Sequence, residues 1–107
     1  MATARKTKGT GGVERVSVEN VNHPGTSRRV HAAKYQSMRK ALLKAVPARP
    51  PGATVAEALT AAKRHLPDAL FPKGALAGWW FKTVQLDLEA KRLIARTKTT
   101  PLRLYRV

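Results

Sequence analysis

The chain has 107 residues, a length that fits one domain and is too short for two hydrophobic cores. Its 21 Lys and Arg residues against 6 Asp and Glu give a formal net charge of +15. A charge of this size favours a polyanionic partner, either nucleic acid or an anionic membrane surface. The absence of cysteine excludes disulfides and Cys-based zinc sites and fits a reducing cytoplasm. No apolar run approaches the roughly 20 residues of a membrane span, and the N-terminus lacks the apolar core of a secretory signal, so we expect a cytoplasmic protein.

The N-terminal part of the chain predicts a tail followed by a pair of strands. Residues 1–12 hold no large apolar side chain after the initial methionine, so we expect a flexible basic tail there and a folded domain over 13–107. The cations of this tail either contact phosphates or only keep the terminus soluble. Alternating residues at 15–21, a turn at 22–25 and a return over 27–30 predict an N-terminal hairpin or strand-like arm.

Two helices follow, each marked by apolar periodicity and by stop signals. The first is expected from His31 to about Val46, where prolines end it. The second begins at a capping box, in which the side chains of Thr54 and Glu57 each accept a hydrogen bond from the backbone N–H of the other. It ends before Pro67. The core residues expected from these two helices are Tyr35, Met38, Leu42, Val46, Ala58, Leu59, Ala62 and Leu66.

The third helix is expected from about Ala75 to Arg92, after a connector of about nine residues. Its apolar residues form two strips, because each residue lies about 100° from the last around the axis. The first strip is Ala77, Phe81, Val84 and Leu88 with Trp80 beside it, the second is Trp79, Leu86 and Ala90, and a polar face holds Gly78, Lys82, Gln85 and Glu89. Strand-like segments at 93–98 and 102–107, with a turn at 99–101, then predict a C-terminal hairpin.

Three helices followed at once by a basic hairpin resemble the winged helix-turn-helix, an α+β fold in which the hairpin is the wing. The most specific stretch runs from Leu86 to Ile94 and reads LDLEAKRLI. It is similar to the leucine–glutamate–two residues–glycine–leucine–isoleucine junction between recognition helix and wing in bacterial winged-helix proteins, with Arg92 in the place of the glycine. The chain from about Val16 onward also resembles a family of short, functionally uncharacterised bacterial proteins. The shared features are an Asn-His-Pro-Gly turn, an Ala-Lys-Tyr helix start and a Gly-Trp-Trp segment.

The winged-helix resemblance implies double-stranded DNA binding, with the third helix in the major groove and the wing along the backbone. A small transcriptional regulator is one form that this function takes. Lysine at the helix surface can donate to guanine, and glutamine can contact adenine through two hydrogen bonds. The residues expected to bind nucleic acid are Lys73, Lys82, Thr83, Gln85, Arg96, Lys98 and Arg103.

The alternative is a winged helix that serves as a protein-interaction module without any role at nucleic acid. Trp80 is expected in the core, whereas Trp79 and Leu86 lie on the second apolar strip and form the possible interaction surface. A homodimer or another protein partner would cover that strip. RNA remains a third alternative, since charge does not separate it from DNA. A membrane partner is the least favoured, because the helices are core-forming.

We do not expect an enzyme, a cofactor or a metal site. The three histidines, His23, His31 and His65, lack the spacing of metal ligands. The few carboxylates are scattered, and the sequence holds neither a nucleophile motif nor a glycine-rich phosphate loop. Without an assembled constellation of catalytic groups, binding is the favoured class of function.

Overall fold

The computed structural model describes residues 14–107, so the basic tail expected at 1–12 lies outside the described part of the chain. The described part is α+β, with three helices and two small antiparallel sheets. Strands β1 (Arg15–Glu19) and β2 (Ser27–His31) pair as the N-terminal hairpin that the alternation predicts. Val18 and Val30 are buried in the core, since alternate residues of each strand point to the same face of the hairpin.

Helix α1 (Ala32–Ala45) follows directly after the N-terminal hairpin. Its first turn is capped by His31, whose Nδ1 accepts a hydrogen bond from the backbone N–H of Lys34 at 3.3 Å. The predicted apolar stripe is confirmed, with Met38 and Leu42 completely buried. The helix therefore lies across the core and turns its remaining face to solvent.

Helix α2 (Val55–Lys63) begins at the predicted capping box, which the structure confirms. The Thr54 hydroxyl accepts from the Glu57 N–H at 3.1 Å, and the Glu57 carboxylate accepts from the Thr54 N–H at 2.9 Å. Directly before this helix lies strand β3 (Ala53–Thr54), which the sequence analysis did not predict. Strand β3 is only two residues long, too short to show an alternation pattern.

Helix α3 (Ala77–Ala90) is shorter at both ends than expected. Its start is delayed by a single 3-10 turn (Pro72–Gly74) and by Leu76, which has a left-handed backbone with φ of 59°. Its end is a Schellman motif, in which Leu93 N–H donates to Leu88 O at 2.9 Å and Arg92 N–H donates to Glu89 O at 3.1 Å. Arg92 has φ of 63°, so it holds the left-handed position that favours glycine in such motifs.

Strands β4 (Ile94–Thr97) and β5 (Arg103–Arg106) form the predicted C-terminal hairpin. Strand β3 pairs with the free edge of β5, so the sheet order is β3-β5-β4. Gly52 makes this pairing possible, because a Cβ atom at that position would lie 2.0 Å from the backbone oxygen of Leu104. Helix α3 contacts α1, α2, β1 and β4 and is the central element of the fold.

Candidate nucleic-acid interface

Helix α3 is enclosed on more sides than a helix that reads bases would be. The N-terminal hairpin covers one flank, β4 lies along another, and α1 packs on the core side. Four polar residues from the middle of α3 to its end are buried as a consequence: Thr83, Gln85, Asp87 and Glu89. The expectation that Gln85 and Glu89 lie on an open polar face is wrong, and the open surface of α3 is confined to its first half.

Asp87 is completely buried and joins three elements of the fold. Its Oδ1 accepts from the backbone N–H of Glu19 in β1 at 2.8 Å, while its Oδ2 accepts from the Tyr35 hydroxyl of α1 and from Lys91 Nζ at 2.9 Å. Burial, and then the hydrogen bond to Asp87, raise the pKa of Tyr35 well above its usual range. Asp87 therefore fixes the N-terminal hairpin to the helices.

Glu89 has a matching role on the side of the C-terminal hairpin. Its carboxylate accepts from Arg96 Nε at 2.6 Å and from Arg96 Nη2 at 2.9 Å, in a bidentate pair, and from Gln85 Nε2 at 2.9 Å. The hydrogen bond to Glu89 raises the pKa of Arg96. Arg96 was expected to contact phosphates, but its charge is neutralised by Glu89 and its side chain holds β4 to α3.

Gln85 was expected to read adenine, and the structure excludes this contact in the described conformation. Gln85 is 2% exposed, and its Nε2 donates a hydrogen bond to the Glu89 carboxylate. Its Oε1 is buried without a hydrogen-bond partner among the described residues. Arg103 was expected to contact phosphate from the wing, but its guanidinium donates to Gly52 O at 3.3 Å and lies 3.7 Å from the Glu57 carboxylate.

The N-terminal hairpin occupies much of the second apolar strip of α3. Leu86 is buried at 9% exposure, and its carbonyl accepts from the backbone N–H of Val21 at 3.3 Å. Trp80 is buried, as predicted, whereas Trp79 is 47% exposed. The two indole rings are nearly perpendicular, at 82°, so they form no shared stacking surface. Of the two residues expected at an interaction surface, only Trp79 is open to a partner.

A groove of about 340 Å³ lies between the N-terminal hairpin and the first half of α3. Arg28 of β2 spans it, with its Nη2 donating to the Thr83 hydroxyl at 3.2 Å and its guanidinium 5.0 Å from the Trp79 ring centroid. Thr83 is buried beneath this contact and is not available to a base. Sequence reasoning missed Arg28, although its spacing from Val30 places both residues on the inner face of the hairpin.

Three of the expected binding residues remain on the surface: Lys73, Lys82 and Lys98. None of them forms an ion pair within residues 14–107. The ion pairs there join Glu57, Asp87 and Glu89 to other basic residues. Lys82 lies on the rim of the groove, Lys73 precedes α3, and Lys98 follows β4 at the tip of the C-terminal hairpin. Their ammonium groups are therefore able to meet an anion from outside.

Within residues 14–107, no group of three His, Asp or Glu side chains is placed to hold a metal ion. None of the described helices combines the length and the apolar character needed to cross a membrane.

The sequence model of a family of unknown function, DUF6958, matches residues 15–104. Neither the curated proteins nor the solved structures contain a significant match to the chain. The matched range contains both hairpins almost entirely and all three helices, so it coincides with the folded part described above.

Proposed function

Because the chain belongs to DUF6958, a family of unknown function, its role has to be inferred from its own residues, and we propose that it is a winged-helix protein that binds double-stranded DNA. The binding surface of this proposal is the first half of α3 together with the tip of the C-terminal hairpin. The observation that carries it is the set of three exposed lysines, Lys73, Lys82 and Lys98, that no carboxylate within residues 14–107 neutralises.

The order of the elements supports the winged-helix part of the proposal. A short strand between the first two helices, β3, pairs with the last strand, and the C-terminal hairpin follows the third helix at once. In winged-helix proteins the third helix and the hairpin face the same duplex. Here the Glu89–Arg96 pair holds β4 beside α3, and Lys98 continues from that strand two residues later.

The proposed contacts are mainly to phosphates. Of the polar residues of α3 that were expected to meet base edges, Thr83 and Gln85 are buried, which leaves Lys82. Phosphate contacts position a protein on the duplex but carry no sequence information. We therefore expect binding that depends strongly on salt and only weakly on sequence.

The test is duplex binding across a salt series for a Lys82→Ala/Lys98→Ala variant. A matched control is Arg15→Ala/Arg29→Ala, which removes two charges from the outer face of the N-terminal hairpin. Each lost phosphate contact lowers the slope of log affinity against log salt by roughly 0.9, so the lysine variant should lose roughly 1.8. The control variant should retain the wild-type slope, and equal slopes in the two variants would reject this surface. Duplex RNA and single-stranded DNA, measured in parallel, decide which nucleic acid is preferred.

A second candidate function is a protein interaction at the start of α3. Leu76, directly before α3, is 69% exposed, and Trp79, in the first turn of α3, is 47% exposed. Large exposed apolar side chains are typical of contact sites. A Leu76→Ser/Trp79→Ser variant that binds DNA as the wild type does, but loses self-association or capture of a partner, would favour this function.

A further inference from the structure

The outer side of α1 carries a second concentration of positive charge, away from the surface proposed above. An open concavity of about 550 Å³ lies between α1 and the end of β5. It is lined by Gln36, Arg39, Lys40, Leu43, Lys44 and Arg106. Four of these six residues are cationic and none is acidic, so the concavity has the charge of an anion site.

The fold holds these cations together. Gln36, Lys40 and Lys44 follow one another at four-residue spacing and form one exposed row on α1. Arg106 is anchored beside that row, because its Nε donates to Val46 O at 2.9 Å and its backbone N–H donates to Pro47 O at 2.7 Å. Arg39 lines the concavity next to Lys40.

Like charges four residues apart destabilise a helix, and a guanidinium beside them adds repulsion. The six acidic residues of the chain do not relieve it: three pair with Lys91, Arg96 and Arg103, and the other three lie on β1, next to it, or in the connector after α2. Phosphate groups offset such repulsion, since guanidinium and ammonium groups both donate charge-assisted hydrogen bonds to them.

Lys40 of this α1 surface and Lys82 of α3 are each turned away from the contact between the two helices. Helices α1 and α3 meet where Tyr35 bonds to Asp87. Lys40 lies five residues after Tyr35, and Lys82 lies five residues before Asp87. At about 100° per residue, each lysine is rotated by roughly 140° from the contact on its own helix. Lys40 and Lys82 therefore each lie on the outer side of their own helix, away from the contact between α1 and α3.

We propose that the α1 surface, formed by Arg39, Lys40, Lys44 and Arg106, binds the phosphates of a second duplex, so that one domain bridges two DNA segments. This inference rests on the proposed DNA binding through Lys82 and Lys98. A short duplex is rigid, because the persistence length of DNA is about 150 base pairs, and cannot bend around the domain to reach both surfaces. Occupying both surfaces requires two duplexes.

The experiment measures bridging directly. One duplex of roughly 20 base pairs, far below the persistence length, is immobilised. A second, fluorescent duplex is added with the full-length protein at limiting concentration, and its capture is recorded. The wild-type protein should capture the second duplex. Lys40→Ala/Lys44→Ala should bind the immobilised duplex but capture no second one, and Arg15→Ala/Arg29→Ala should capture as the wild type does.

The outcomes separate this inference from the proposed function. If the wild type binds the first duplex, with a salt slope that Lys82→Ala/Lys98→Ala reduces, but never captures the second, only the bridging proposal is overturned. If Lys40→Ala/Lys44→Ala bridges as well as the wild type, the α1 surface is likewise rejected. If the wild type binds no duplex at low salt, both proposals fail. Lys40→Ala/Lys44→Ala should remain folded, since both residues are exposed on α1 and alanine favours helix.

Discussion

Truncation of Arg96 distinguishes a structural role from a phosphate contact. In the structure its guanidinium forms a bidentate pair with Glu89, whose side chain is 5% exposed, while that of Arg96 is 30% exposed. Breaking a buried pair costs about 3–5 kcal/mol because it leaves one charge buried without a partner. Water can reach Glu89 once the partly exposed arginine is gone, so we expect Arg96→Ala to lower the free energy of unfolding by about 2–3 kcal/mol.

The assay is thermal unfolding within a double-mutant cycle. For a domain of this size each kcal/mol shifts Tm by about 4–8 °C, so Arg96→Ala should lower Tm by roughly 10–20 °C. In a Glu89→Gln background the same truncation leaves no buried charge without a partner, so the loss in free energy of unfolding should be smaller by about 1–2 kcal/mol. The slope of DNA affinity against salt, measured where both proteins are folded, should remain that of the wild type. If Arg96→Ala has the Tm of the wild type and a salt slope smaller by roughly 0.9, Arg96 contacts a phosphate and its structural role is refuted.

Three further predictions concern backbone geometry and capping. Arg92→Gly should raise the free energy of unfolding by about 1 kcal/mol, because glycine adopts the left-handed conformation freely. Arg92→Ala retains the backbone strain and should not raise it. Denaturant unfolding of the two variants measures the difference. Gly52→Ala should lower the free energy of unfolding by about 3 kcal/mol or more, since its Cβ would lie 2.0 Å from a backbone oxygen of β5. Gly25 has a similar φ but no atom within 4 Å of a Cβ, so Gly25→Ala should lower the free energy of unfolding by only about 1 kcal/mol. Hydrogen bonds from the backbone and side chain at the start of α2 lower the pKa of Glu57, so its stabilisation is complete above about pH 5 and is lost as the pH falls through the lowered value. Glu57→Gln should retain the cap and lose that part of the pH dependence, which Tm measured between pH 6 and pH 3 will show.

Local sequence signals predicted the helices and both hairpins because those elements depend on neighbouring residues. The stripe around Met38 and Leu42 and the capping box of Thr54 and Glu57 both operate within one or two turns. Strand β3 escaped prediction because its pairing with β5 spans about half the chain, and its two residues carry no periodic signal.

The expected binding site was predicted less well than the fold, for a physical reason. Charged and polar residues on a helix are usually exposed, so Gln85 and Glu89 were assigned to the polar face of the third helix. The buried carboxylates of Asp87 and Glu89 have partners from distant elements: Tyr35, Glu19 and Arg96. No local sequence pattern indicates that a carboxylate will pair with a residue distant in the sequence. By contrast, Lys73, Lys82 and Lys98 stay on the surface, and none of them forms an ion pair within 14–107.

The scarcity of acidic residues links the stability of this protein to its proposed function. Two of the six carboxylates, Asp87 and Glu89, are buried in α3 and attach the two hairpins to it. Carboxylates used in this way are not available to neutralise the surface, so the excess positive charge is exposed on α1, on the first half of α3 and at the tip of the C-terminal hairpin. A fold that buries two of its six carboxylates and exposes its cations on more than one surface is suited to contact a polyanion from more than one direction. Base recognition through Gln85 would require opening its contact with Glu89, whereas phosphate binding by the exposed lysines requires no such rearrangement, and this difference favours phosphate binding over base reading at Gln85.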